Sequence, residues 1–291
     1  MCDQDHFEDD LKEYAARGSV SRREFGALSL GAGMAFLLPR AADAVTVTES
    51  EVKVKTPDGV CDAYFVHPAS GTGAGVVMWP DILGLRPAFR QMGKRLAESG
   101  YSVLVVNPFY RQKAAPVIPN GASFSDPAIR NTVMPLMQAL NPTTVATDAT
   151  AFVTFLDSQA SVDQKKKIGT MGYCMSGPFT IRTAATVPDR VGAGASFHGG
   201  GLVTKAPDSP HLLAGTTKAQ FLFAIAENDD KREPDTKTIL KETFAKANVP
   251  AEIEVYPAAH GWCPPDMEPY NQEQAEKAWS RLLALFGKAL A

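Results

Sequence analysis

Cysteine, histidine and aspartate each stand where a short apolar run gives way to small or polar residues. Cys174 lies in "GTMGYCMSGPFTIRTA" (Gly169 to Ala184), between a strand-like run and a helix-like one. A chain that turns sharply there strains the backbone of the central residue and leaves no room for side chains two positions either side. Gly172 meets that need, and Ser176 is small, with Gly177 beside it. Ser176 is a poor rival nucleophile, because its own flanks at that distance are Cys174 and Pro178; Pro178 suits a first helical turn. A helix starting there would aim its N–H groups and positive dipole end at the thiol and favour thiolate.

A thiol nucleophile needs a base and an acid to orient that base. "PAAHGWCP" places His260 just beyond a strand-like run, and "AIAENDD" places Asp229 and Asp230 just beyond another. The order Cys174, Asp, His260 is the chain order in which α/β-hydrolases supply nucleophile, acid and base. Either aspartate satisfies that order.

These groups require a scaffold, and the chain carries one. "EVKVKT" and "CDAYFVHP" read as a hairpin about Pro57 to Gly59. "GAGVVMWP" and "YSVLVVNP" are short apolar runs of strands buried on both faces, with a helix over Pro87 to Ser99 between them. From Tyr110 to Thr144 the pattern dissolves into Pro, Asn, Ser and Gly, a partly helical excursion of the kind that forms lids and substrate loops. Helices are then expected over Ala146 to Ser158, Pro178 to Thr186, Thr236 to Asn248 and Gln272 to Leu290. Strands are expected in "KIGTMGY", "GAGASFH", "AQFLFAIAEND" and "AEIEVYP". The alternation predicts an α/β fold: a mostly parallel sheet with helices on both faces and an N-terminal antiparallel hairpin. Such sheets place their chemistry outside the carboxyl ends of the strands, where every candidate falls.

The chain has 291 residues, 45% hydrophobic and 21% charged, enough for one large α/β domain or two small ones. A net charge of −3 argues against nucleic acid or an anionic membrane surface as partner. With five His and no CxxC or HxxxH spacing, a zinc site is not expected. Residues 1–44 read as a twin-arginine export signal, leaving 45–291 as a single domain. Arg22 and Arg23 precede Phe25 and an apolar run to Leu38, followed by the small-x-small site Ala42-Asp43-Ala44. The run is too short to span a bilayer, so the segment is an address for the Tat machinery and not an anchor. A periplasmic or secreted protein is expected. That segment holds 5 of the 29 Lys+Arg and 8 of the 32 Asp+Glu, so the mature chain has 24 of each and a net charge of zero. Cys61, Cys174 and Cys263 remain, an odd number that leaves one thiol free in a monomer.

From about Glu49 to the C-terminus the chain resembles the dienelactone hydrolase family of α/β-hydrolases. The resemblance rests on "DILGL", "VVNPFYRQ", "MGYCMSG", "FHGGGL", the Asp after "FAIAEN" and "HGW". It implies a cofactor-independent hydrolase with Cys174 as nucleophile and His260 as base. A gapless count puts Asp229 in the acid's place, with Asp230 one register slip away. Acyl transfer also needs oxyanion donors, expected from the backbone N–H groups of Met175 and Ile82. Asp81 matches a family glutamate that contacts the resting thiol, but is one methylene shorter. His198 and Trp262 are further candidates for the pocket, with Trp79 and Phe109. The family's type substrate, dienelactone, carries a carboxylate held partly by an arginine shortly after the histidine. Here that stretch reads "HGWCPPD". Arg111 and Arg130 are the alternative cations, and the resemblance implies the reaction class more firmly than that substrate. The expected partner is a small ester or lactone. A ligand-binding protein that keeps the scaffold without turnover, or a Cys174–Cys263 redox pair, are the readings from other classes.

Overall fold

Apolar β-branched runs pair edge to edge, and the amphipathic segments between them form helices that cover both sheet faces. The structure is a computed structural model and describes Leu38 and residues 44–291. The export-signal reading falls almost wholly outside the described residues.

Strands β1 (Val47–Thr56) and β2 (Gly59–Pro68) form the expected hairpin, with Thr56 opposite Gly59. Six parallel strands follow: β3 (Gly75–Trp79), β4 (Ser102–Val106), β5 (Ile168–Tyr173), β6 (Val191–Phe197), β7 (Gln220–Ala226) and β8 (Ala251–Tyr256). The eight strands form one sheet in the order β1-β2-β4-β3-β5-β6-β7-β8, with β2 antiparallel to both neighbours. The chain steps from β3 to β4 on one side and returns to β5 on the other. A crevice opens at such a reversal, between the carboxyl ends of β3 and β5.

Strand alternation divides the core. Met78, Val105, Tyr173 and Phe197 face α1 (Pro87–Glu98) and the C-terminal helix, α7 (Gln272–Ala289), through Phe89, Leu96, Leu282 and Phe286. Val77, Leu104, Phe221 and Phe223 face α3 (Pro142–Asp157), α4 (Gly177–Thr186) and α6 (Thr236–Lys246), through Phe152, Ile181 and Phe244.

Several expected boundaries shift; strand β1, for one, begins at Val47, four residues before the expected Glu51. Helix α3 begins at Pro142, four residues before the expected Ala146. Asn141 caps it, accepting from the Thr143 and Thr144 amides at 3.0 Å, and Thr144 returns a bond to the Asn141 amide. The excursion is shortened accordingly and holds α2 (Pro127–Gln138), capped by Asp126. Strand β7 ends at Ala226, and Glu227 to Asp229, expected to prolong it, open a short helix, α5 (Glu227–Arg232).

Candidate active site

Cys174 follows β5 directly and has φ +53°, a left-handed conformation that residues other than glycine rarely adopt. Its neighbours hold the turn closed. Buried Ser176 accepts the Tyr173 amide at its Oγ (2.8 Å), and its hydroxyl faces the carbonyls of Trp79 (2.8 Å) and Tyr173 (2.9 Å). Ser176 is therefore a pin for the turn. A Cβ on Gly172 would stand 2.2 Å from the Ser176 carbonyl oxygen, and one on Gly177 would stand 2.5 Å from Gly199 Cα. Only glycine fits at either position, and the strain at Cys174 is sustained by these close approaches.

Across the crevice, His260 lies four residues past β8 and Asp229 in the first turn of α5. His260 Nδ1 and Asp229 Oδ2 are 2.7 Å apart, both side chains about one-sixth exposed. Donation from Nδ1–H to the carboxylate leaves Nε2 as the ring's proton acceptor. Successive helical residues point about 100° apart, and Asp230 turns away to Lys237 at 2.6 Å. Buried Asn228, not anticipated from the sequence, accepts the His260 backbone N–H at 2.8 Å. One short helix thus holds both the ring and the main chain of the histidine. The Gly200 amide donates to the Cys174 carbonyl (3.2 Å), and nearby His198 stands 5.0 Å from His260 between ring centroids. The β5, β6 and β8 ends therefore meet at one place.

Met175 lies in the first turn of the 3-10 segment Cys174–Ser176, where its amide has no intrahelical acceptor. In the loop after β3, the Leu83 amide donates to Asp81 Oδ1 and the Gly84 amide to the Asp81 carbonyl, both at 2.9 Å. The Ile82 amide takes no part in that turn.

The expected pocket residues Asp81, His198, Trp262, Trp79 and Phe109 are all buried. Asp81 spends both carboxylate oxygens on Arg86, at 2.6 and 2.9 Å, in addition to the Leu83 amide. Arg86 also binds Asp266 through Nε (2.6 Å) and a terminal nitrogen (2.9 Å), 180 residues further along the chain. Burial works against the guanidinium's charge, but the two carboxylates outweigh it and hold the group above its ordinary pKa. Arg86 therefore clamps the Ile82 loop to the loop that follows His260. No local sequence signal marks this triad.

His198 (φ +40°) lies beneath His260, with Tyr173 and Trp262 around it and neither ring nitrogen hydrogen-bonded among the described residues. Burial, and then His260, hold it neutral well below its ordinary pKa. Trp262 stacks on Tyr256, and Trp79 packs in the core against Phe152 and Phe179. Phe109 belongs instead to a third apolar cluster, with Ile82, Ile118, Phe124, Val133 and Met175, against which half-buried Cys174 packs. The excursion thus contributes to the apolar cluster that Cys174 joins.

Among the described residues, Cys61, Cys174 and Cys263 form no disulfide. Cys263 is buried in the α1/α7 layer, with its pKa pushed well up by desolvation, and Cys61 is likewise raised by burial. Arg111 pairs with Asp58 and Asp148, and Arg130 donates to the Phe124 and Ser125 carbonyls. Among the described residues no group of three His, Cys, Asp or Glu side chains could hold a metal ion, and no helix is long and apolar enough to cross a membrane.

A mostly parallel sheet with a left-handed cysteine after its fifth strand, and a His–Asp pair after its last two, is the architecture of an α/β-hydrolase. The chain belongs to the dienelactone hydrolase family, whose sequence profile matches residues 61–290. It is 27% identical over 242 residues to the carboxymethylenebutenolidase of Rhodococcus opacus, covering 81% of this chain and 90% of that one. It is 29% identical over 288 residues to a Methylorubrum extorquens protein provisionally named carboxymethylenebutenolidase, covering 95% and 96%. Among solved structures, a provisionally assigned dienelactone hydrolase from Klebsiella pneumoniae superposes with a TM-score of 0.71 at 22% identity, covering 84% of this chain and 99% of that one. The dienelactone hydrolase-like promiscuous phosphotriesterase P91, from metagenomic libraries, superposes at 0.68 and 20%, with the same coverage. At these identities the structural matches speak to the fold alone.

Proposed function

We propose that this hydrolase acts on small esters or lactones through a cysteine acyl-enzyme, with Cys174 as nucleophile, His260 as base and Asp229 as the acid that fixes the imidazole. His260 Nε2 takes the thiol proton while Sγ attacks the substrate carbonyl carbon, forming the C–S bond. The amides of Met175 and Ile82 hold the oxyanion. Collapse breaks the C–O bond to the leaving alkoxide, which receives the proton from His260. Water, deprotonated by His260, then attacks the thioester and releases the acid and the thiol. Asp229 keeps Nδ1 protonated and stabilises the imidazolium without taking its proton. No cofactor enters the cycle.

One observation carries this reading: the left-handed Cys174 shares the sheet's carboxyl end with a His260–Asp229 pair 2.7 Å apart. The test is an activated ester, followed by alcohol release and intact protein mass together. A burst, an acyl adduct on Cys174 and continued turnover are expected. A folded protein with a titratable thiol that gives neither release nor adduct would leave a ligand-binding role in its place.

The proposal includes Tat export, with Arg22-Arg23 as the signal, maturation after Ala44 and a periplasmic or secreted enzyme. Replacing both arginines by lysine should hold the precursor in the cytoplasm, and N-terminal sequencing of the exported form should begin at Val45. Cytoplasmic accumulation of the unaltered chain would remove this part.

A further inference from the structure

The surroundings of Cys174 bear on which ester fits, a question that rests on the hydrolase reading. We infer that the preferred substrate carries an uncharged, apolar acyl chain and not an acyl chain bearing a carboxylate.

The first observation is the wall. Half-buried Cys174 packs against an apolar cluster drawn from separate parts of the chain, which includes Ile82 and Leu83 after β3, Ile118 and Phe124 from the excursion, and Met175 after the cysteine. Met267, from the loop after His260, joins the same cluster. Thioether and aliphatic groups adapt to chains of differing length, but they offer a carboxylate nothing in exchange for its lost hydration.

The second observation is what the cations do. Arg86, buried after β3, is bound by two carboxylates, so its triad with Asp81 and Asp266 carries a net −1. It also donates to the Gly84 carbonyl at 3.3 Å. A substrate carboxylate would meet that negative excess and could recruit Arg86 only by displacing an aspartate whose own charge would then be stranded. The excursion holds three further cations. Arg111 is committed to Asp58 and Asp148, Arg130 donates to backbone carbonyls, and Lys113 is exposed. Arg232, near the site on α5, is paired with Asp229 at 3.5 Å. The wall favours an apolar chain, and the charge distribution disfavours an anionic one. The two observations are independent and point the same way.

The test compares 4-nitrophenyl hexanoate with mono-4-nitrophenyl adipate, which share a six-carbon acyl chain and differ at its end, methyl against carboxylate. With the full chain, kcat/KM should favour the hexanoate by about thirtyfold or more, the cost of stripping water from an unpaired carboxylate. A fully buried methylene is worth about a fourfold factor, so a half-buried chain should favour hexanoate over acetate by on the order of tenfold. Adipate turnover within threefold of hexanoate, or above it, overturns the inference and leaves the hydrolase reading standing. Turnover of neither ester by folded protein with a titratable Cys174 overturns both.

Discussion

Cys174, Asp229 and His260 stand one, three and four residues beyond β5, β7 and β8, whereas the apolar cluster that Cys174 joins takes most of its buried residues from 109–136, where α2 is the one regular element. Strands β5 and β7 are held by ladder hydrogen bonds on both sides and edge strand β8 by β7, and close-packed glycines flank Cys174, so these ends place the three groups with little slack. The excursion is held by apolar packing and by contacts such as Ser123 and Ser125 on Glu268. Its backbone is less constrained, and its side chains exchange at lower cost. On the proposed reading, the chemistry is fixed where the backbone is rigid, and the choice of substrate is made where it is not. The Arg86 triad ties the Ile82 loop, whose Ile82 belongs to that cluster, to the loop after His260.

That contrast can be broken experimentally, beginning with the sheet half. Cys174→Ala should lower turnover by roughly 10⁴ or more with an unchanged circular dichroism spectrum; residual activity within tenfold would remove the cysteine from the mechanism. Asp229→Asn should cost roughly 10² to 10⁴ in kcat by allowing the wrong imidazole tautomer. Asp230→Asn, which loses only its Lys237 pair, should stay within about threefold. Equal losses would mean that the 2.7 Å contact does not select between the neighbours.

The link between the halves comes next. Arg86→Met strands two carboxylates and should cost about 3–5 kcal/mol of stability, read as a urea midpoint. Adding Asp81→Asn and Asp266→Asn should recover part of that loss. For the wall, Phe124→Ala should lower kcat/KM for a hexanoyl ester by about tenfold and barely alter an acetyl ester. If both fall alike, Phe124 supports the fold and not the acyl chain.

The smallest effect concerns His198 under the site. Burial holds its folded pKa well below its ordinary 6.5, so below about pH 6.5 the unfolded chain gains a proton that the folded chain refuses. Stability is kept above that pH and lost as pH falls, by up to about 1.4 kcal/mol per pH unit. His198→Phe should flatten the dependence of the urea midpoint between pH 6.5 and 5. An unchanged slope would mean that other groups, such as His211, carry it.

Much of the fold is legible in the residues alone. The hairpin, the six parallel strands and the covering helices follow from apolar runs and 3.6-residue stripes, which are properties of neighbours in sequence. The turn around Cys174 is equally readable, because Gly172, Ser176 and Gly177 act within two or three residues of it. Differences arise where a local pattern has two solutions. The run "AQFLFAIAEND" continues apolar and then polar without a marked break, so the expected strand overruns into α5. Asn141-Pro142 offers a second start for α3, ahead of the expected Ala146, and its capping bonds decide between the two.

The alternation of elements, the sharp turn that presents Cys174 and the order of thiol, acid and base are therefore written locally. Each depends on sterics and periodicity over a few residues. The assembled fold was needed to select Asp229 over Asp230 as the partner of His260, since one residue of helix rotates a side chain by about 100°. It was also needed to commit Arg86 to Asp81 and Asp266, and to gather the excursion's apolar residues into the cluster that Cys174 joins. Charge pairing and burial depend on distance in space, and the partners of Arg86 lie 5 and 180 residues away.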